Sequence, residues 1–161
     1  MASHQQQSPE PTPTSPNIRT LAVDDSPYML KTYERVLALE SGFTLVGTAT
    51  DGRQALEAVL ALEAELVLMD IHMPHMNGIE ATRYLKRFRH PPAVIIVTSD
   101  DSPASLQLAK TAGADGIVSK NGDLRQDLRA VLQGIRESQG KRVTSPGKTE
   151  SPGSVTPQPG G

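Results

Sequence analysis

The chain has 161 residues, and 16 basic against 18 acidic side chains leave a formal charge of −2, without the basic stripe that direct nucleic-acid binding requires. Cysteine is absent, which excludes disulfide staples and thiolate metal centres, and no apolar run approaches the ~20 residues of a membrane span. The first residues are polar and proline-rich rather than a charged-then-apolar leader, so a cytoplasmic chain without membrane contact is expected.

Composition locates the folded part. All five aromatic residues (Tyr28, Tyr33, Phe43, Tyr84, Phe88) fall between Asn17 and Gly140, whereas eight of the 13 prolines fall outside that span. Residues 1–17 and 141–161 are therefore expected to be disordered tails, and residues 18–140 one domain with enough apolar residues for its own core. Within it, Ile18–Val23 reads as a strand. Ser26-Pro27 then reads as an N-cap with proline at the first helical position, and Leu30, Tyr33 and Leu37 form the apolar stripe of a helix that Gly42 ends. Phe43–Ala49 is a second strand, followed by Asp51-Gly52 and a helix marked by Ala55, Val59 and Leu62. Leu66–Met69 is a third strand, leading through a Met-Pro loop to a helix near Ile79–Arg89 that Pro91-Pro92 stops. Ala93–Val97 is a fourth strand, Ser102-Pro103 opens a fourth helix, and Gly113 closes it. Gly116–Ser119 is the last strand, and Leu124, Leu128, Val131, Leu132 and Ile135 line one face of the last helix.

Five successive strand–helix units with right-handed crossovers predict an α/β fold, a doubly wound five-stranded parallel sheet between five helices. The flavodoxin-like order 2-1-3-4-5 is taken from the fold class, since periodicity does not give it. The strands end at Asp24 and Asp25, Asp70, Thr98 and Lys120. In such a sheet these ends share one edge, where ligands bind. Three carboxylates in one crevice repel one another, so either their pKa values rise or a cation sits among them, and an all-oxygen donor set suits Mg²⁺. A carboxylate beside such an ion can act as nucleophile towards a phosphoryl group, with the Thr98 hydroxyl and Lys120 ammonium as donors to its oxygens. Taken singly, each residue has an ordinary explanation as a helix cap, a strand former or a solvated lysine. The string D-D-S-P even occurs twice, at Asp24–Pro27 and Asp100–Pro103, so it mainly marks a helix start. Position separates the two copies. The first directly ends a strand and is assigned to the metal; the second begins two residues beyond Thr98 and is assigned to capping or the pocket rim.

The acidic pair Asp24-Asp25, the run Asp70-Ile-His-Met-Pro-His-Met-Asn-Gly, the strand ending at Thr98-Ser and the run Gly-Ile-Val-Ser-Lys120 resemble the receiver domain of two-component response regulators, over about Ile18–Gln139. The resemblance implies that Asp70 accepts a phosphoryl group from a phosphohistidine on a histidine kinase or phosphotransfer protein. It implies that Asp25 and Asp70 ligate Mg²⁺ with the backbone carbonyl of His72, Asp24 supporting closely, and that Thr98 and Lys120 close on the phosphoryl group. Two positions depart from the family pattern. Ile117 stands where an aromatic switch residue is usual, and Asn121 replaces the proline that commonly follows the lysine, so a trans bond is expected there. His72 and His75 lack a third ligand and make a poor zinc site. His72 is instead expected to line the path of attacking water and, with Asp100, to tune the lifetime of the phosphorylated state.

The response surface that the family uses corresponds here to about Pro103–Gln139, where a downstream protein partner is expected. Residues 141–161 are too short and polar for an output module, so the expectation is a stand-alone regulator, monomeric or weakly dimeric, that is a phosphoacceptor rather than an enzyme. The alternative is a receiver fragment of a DNA-binding regulator lacking its output domain. A phosphatase with an aspartate nucleophile needs a second Asp two residues on, where His72 stands.

Overall fold

The computed structural model describes residues 16–144. Five strands, β1 (Ile18–Val23), β2 (Phe43–Ala49), β3 (Leu66–Met69), β4 (Ala93–Thr98) and β5 (Gly116–Ser119), alternate with five helices, α1 (Pro27–Leu39), α2 (Gly52–Leu62), α3 (Gly78–Leu85), α4 (Pro103–Ala112) and α5 (Leu124–Thr144). All strand pairs are parallel, and the order is β2-β1-β3-β4-β5, as expected for the fold class.

β3 and residues Ala93–Val97 of β4 are apolar without interruption because both of their faces are covered. Alternate residues serve opposite layers: Leu21, Val23, Val67, Met69, Val94 and Ile96 face α2, α3 and α4, while Ala22, Leu66, Leu68, Ile95 and Val97 face α1 and α5. Tyr33, Val36 and Leu37 from α1 meet Leu128 and Leu132 from α5 on the second side. Ser26 and Ser102 cap their helices as expected, and Asp51 and Asn77 prove to do the same. Ser26, Asp51, Asn77 and Ser102 each accept a hydrogen bond from the backbone N–H three residues on.

Three boundaries differ from expectation. The α1 helix ends at Leu39 with an extended Glu40, and Gly42, at φ +95°, serves the turn into β2. The α3 helix stops at Leu85 rather than Arg89. There the Arg87 and Phe88 amides bond to Tyr84 and Leu85 carbonyls, three residues back, so the winding tightens and breaks before the prolines. The tails expected at residues 1–17 and 141–161 lie outside the described residues except at their inner margins. Asn17 is tied to Thr44 at 3.0 Å, and α5 passes Gly140 to end at Thr144. An isolated glycine costs a helix about 1 kcal/mol without terminating it.

Candidate functional site

The parallel register sets the carboxyl ends of β1, β3, β4 and β5 side by side. The Asp70 amide donates to the Val23 carbonyl at 3.0 Å, and the Lys120 amide donates to the Thr98 carbonyl at 2.8 Å. Backbone ladders thus carry the chain past each strand end and bring the expected residues together. Carboxylate oxygens of Asp24, Asp25 and Asp70 all lie within 4.8 Å of one another, with Asp24 and Asp70 buried and Asp25 exposed. It is the metal-competent cluster found among the described residues; His72 and His75 do not belong to it.

Both carboxylate oxygens of Asp24 are hydrogen-bonded. Its Oδ1 accepts from the Ser26 amide at 3.0 Å, and its Oδ2 accepts from the Tyr33 hydroxyl at 3.0 Å and from Lys120 Nζ at 2.8 Å. Burial, reinforced by the Asp24 charge, pushes the Tyr33 phenol far above its ordinary pKa, so the ring acts as a permanent donor. Asp70 Oδ1 accepts from the Ile71 amide at 2.8 Å, and Asp70 Oδ2 lies 3.4 Å from Lys120 Nζ. Its pKa is raised, first by desolvation and second by the Asp24 charge, with Lys120 and the Ile71 amide opposing. One ammonium, bonded to Asp24 and near Asp70, thus serves a cluster of three carboxylates. A hard divalent cation suits this surplus of negative oxygen, and Asp25, exposed beside two buried carboxylates, gives it a solvent-side ligand.

Thr98 is completely buried, and its Oγ1 accepts from the Asp100 amide at 3.0 Å. A hydroxyl that accepts one bond still has its proton to donate. The His72 side chain is largely exposed and reaches across the mouth, its Nε2 2.9 Å from Asp100 Oδ2. Ser105, His72 and Ser102 hydrogen bonds hold the Asp100 carboxyl well below the usual carboxylate range. Ile117 packs half-buried against the α2–α4 side of the core. Among the described residues no peptide bond is cis, as expected for Asn121, whose side-chain Nδ2 donates to the Ser99 carbonyl at 2.9 Å and to Asp101 Oδ2 at 3.3 Å.

The roles of three residues escaped sequence reasoning. Tyr33 was legible as a core residue of the α1 stripe; a buried phenol needs a partner, and that was the available signal. Gly78 ends the Met-Asn-Gly run because a Cβ there would lie 1.9 Å from the Asp70 carbonyl oxygen. Ser105 gave no signal, since a serine in a first helical turn is unremarkable until Asp100 is seen 2.6 Å from its hydroxyl.

Comparison with known proteins agrees with this geometry. Residues 20–133 match the family described as the response regulator receiver domain. A protein-glutamate methylesterase/protein-glutamine glutaminase of Methanococcus maripaludis is 35% identical over 120 residues, covering 73% of this chain and 33% of the relative. The signal receiver domain of the putative response regulator NarL from Mycobacterium tuberculosis superposes with a TM-score of 0.71 at 27% identity, covering 76% of this chain and 98% of that one. A Borrelia burgdorferi structure, the complex of CheX and CheY with BeF3 and Mg²⁺, matches with a TM-score of 0.66 at 26% identity, covering 73% and 89%. The chain spans about a third of the length of the methylesterases it matches. Among the described residues no helix is long and apolar enough to cross a membrane.

Proposed function

The chain belongs to the response regulator receiver domain family, and on that premise we propose that Asp70 is its phosphoacceptor. The observation that carries the assignment is the clustering of Asp24, Asp25 and Asp70, with Lys120 bonded to Asp24 and 3.4 Å from Asp70. A carboxylate oxygen of Asp70 forms the new O–P bond as the P–N bond of a phosphohistidine breaks, and the electron pair leaves on the imidazole. Lys120, already 3.4 Å from Asp70, neutralises the transferred oxygens, and the Thr98 hydroxyl donates to one of them. His72 and Asp100, paired across the mouth, limit how water reaches the acyl phosphate.

The carboxylates suit Mg²⁺, with Asp25 and Asp70 as ligands, the His72 carbonyl as a third, and Asp24 behind them. When bound, the ion supplies positive charge to the phosphoryl oxygens. Receiver domains act between histidine kinases or phosphotransfer proteins and downstream partners. For this chain we place the donor on the Asp70 side and a protein partner on residues 103–139, with residues 18–140 as the receiver proper. In this reading the chain takes part in its own phosphorylation and dephosphorylation and turns over no separate substrate.

Incubation with acetyl phosphate and Mg²⁺, read by intact mass, tests the assignment. Wild type gains one phosphoryl group and Asp70→Asn gains none; no gain in wild type, or equal gain in both, rejects it. A second reading, a receiver segment of a longer regulator, is favoured by the short share of its relatives that the chain spans. The intact mass of the protein isolated from its own cells separates that reading from a stand-alone regulator.

A further inference from the structure

Ile117 packs against the core with no polar atom able to follow the Thr98 hydroxyl. A different set of bonds leads away from Thr98. The Asp100 amide donates to Thr98 Oγ1 at 3.0 Å, and the carboxylate of the same residue gathers three donors. Its Oδ2 accepts from Ser105 Oγ at 2.6 Å and from His72 Nε2 at 2.9 Å, and its Oδ1 accepts from the Ser102 amide at 3.2 Å. Ser102 is the N-cap of α4, and Ser105 lies in its first turn. The buried residues of α4, Ala109 and Ala112, lie in its carboxyl half, so the hydrogen bonds to Ser102 and Ser105 hold its amino end.

We propose that Asp100 is the coupling residue of this domain, carrying the position of the Thr98 hydroxyl to the amino end of α4 in place of an aromatic side chain at position 117. The inference rests on the reading of Asp70 as phosphoacceptor. A threonine hydroxyl donates one proton and accepts at two lone pairs. Thr98 therefore turns towards a phosphoryl oxygen while keeping its bond from the Asp100 amide, and the loop is drawn along rather than released. The carboxylate travels with its own backbone, and its charge-assisted bonds hand the displacement to Ser102 and Ser105. Helix α4 then pivots about its buried carboxyl half. The bond from Asn121 to the Ser99 carbonyl steadies the other flank of the same loop against the strand carrying Lys120.

Ser105→Ala removes one donor while improving helix propensity, so the fold survives, and Ser105→Thr returns a hydroxyl. Amide hydrogen exchange across α4 is measured before and after treatment with acetyl phosphate and Mg²⁺, with phosphoryl occupancy read by intact mass on the same samples. Wild type and Ser105→Thr are expected to change exchange in the first half of α4 by about fivefold or more, the lower end of ordinary allosteric coupling. Ser105→Ala and Asp100→Ala are expected to lose most of that change at equal occupancy. An undiminished response in both variants, or no α4 response in fully phosphorylated wild type, overturns the coupling while leaving Asp70 as acceptor. Absence of phosphoryl mass on wild type overturns the acceptor reading, and the coupling falls with it.

Discussion

Lys120 Nζ lies 2.8 Å from Asp24 Oδ2, a bond spanning 96 residues of sequence, and is closer to that carboxylate than to Asp70 at 3.4 Å. The ammonium therefore compensates the most deeply buried charge of the pocket in the resting site, and reaches Asp70 from there. Both partners are well shielded, with the Lys120 side chain 15% exposed and that of Asp24 1% exposed.

Lys120→Met should consequently cost more than a surface ion pair. Removing one member of a buried pair leaves the other charge uncompensated, a loss of about 3 kcal/mol or more. Urea unfolding at neutral pH without divalent ions checks this. A loss under about 0.5 kcal/mol, typical of exposed pairs, would show that Asp24 does not depend on the lysine.

Tyr33→Phe removes only a hydroxyl, yet that hydroxyl donates to a buried carboxylate. A hydrogen bond to a charged group contributes about 1.5–3 kcal/mol. Because Asp24 keeps its bonds from Ser26 and Lys120, a loss of about 1.5 kcal/mol is expected, with acetyl phosphate labelling of Asp70 retained. Paired melts and mass spectra of this variant report both quantities.

Protonation of Asp70 sets a pH dependence opposite to that of most carboxylates. Its folded pKa is raised above the ordinary 3.8 by burial and by Asp24, so the folded state holds the proton more tightly than the unfolded chain. Stability from this group is then full below the ordinary value and declines as pH rises through the folded one. Without divalent ions, Asp70→Asn should be more stable than wild type at pH 7, and the advantage should shrink as pH falls towards the ordinary value. Asp100 has the opposite sign: its pKa is depressed by Ser105, His72 and Ser102, so its contribution is present above the ordinary carboxylate range and lost in acid below it. Denaturation of wild type and Asp70→Asn across a pH series checks this trend, and an advantage for Asp70→Asn that grows towards acid would contradict the assignment.

Two glycines make a contrasting pair. A Cβ on Gly78 would sit 1.9 Å from the Asp70 carbonyl oxygen, where backbone faces backbone and neither side chain can yield. Gly78→Ala should destabilise by about 3 kcal/mol or more, the upper range of overpacking, and disturb phosphoryl uptake with it. Gly134, inside α5, has nothing within 4 Å of an added Cβ, so Gly134→Ala should stabilise by about 0.5–1 kcal/mol. Calorimetry on the two variants gives opposite shifts in Tm if the close approach is the cause.

The elements were legible because their signals are local. Ser26-Pro27, Asp51-Gly52 and Ser102-Pro103 mark helix starts through bonds three residues long, and Leu66–Met69 and Ala93–Val97 declare doubly covered strands by being apolar without interruption. The end of α3 was misjudged because a tightened last turn depends on which carbonyl each amide reaches, a choice that composition leaves open.

The sequence by itself determined which chemical groups stand at the strand ends, and a parallel sheet obliges Asp24, Asp25, Asp70, Thr98 and Lys120 to share one edge. Only the tertiary structure decided which group bonds to which. It gave Lys120 to Asp24 first, seated the Tyr33 hydroxyl on the same carboxylate, and bound His72 and Ser105 to Asp100. The strand–helix alternation follows from periodicity and the strand order from the fold class, whereas a hydrogen bond is made or lost within a few tenths of an ångström, set by how the helices pack on the sheet.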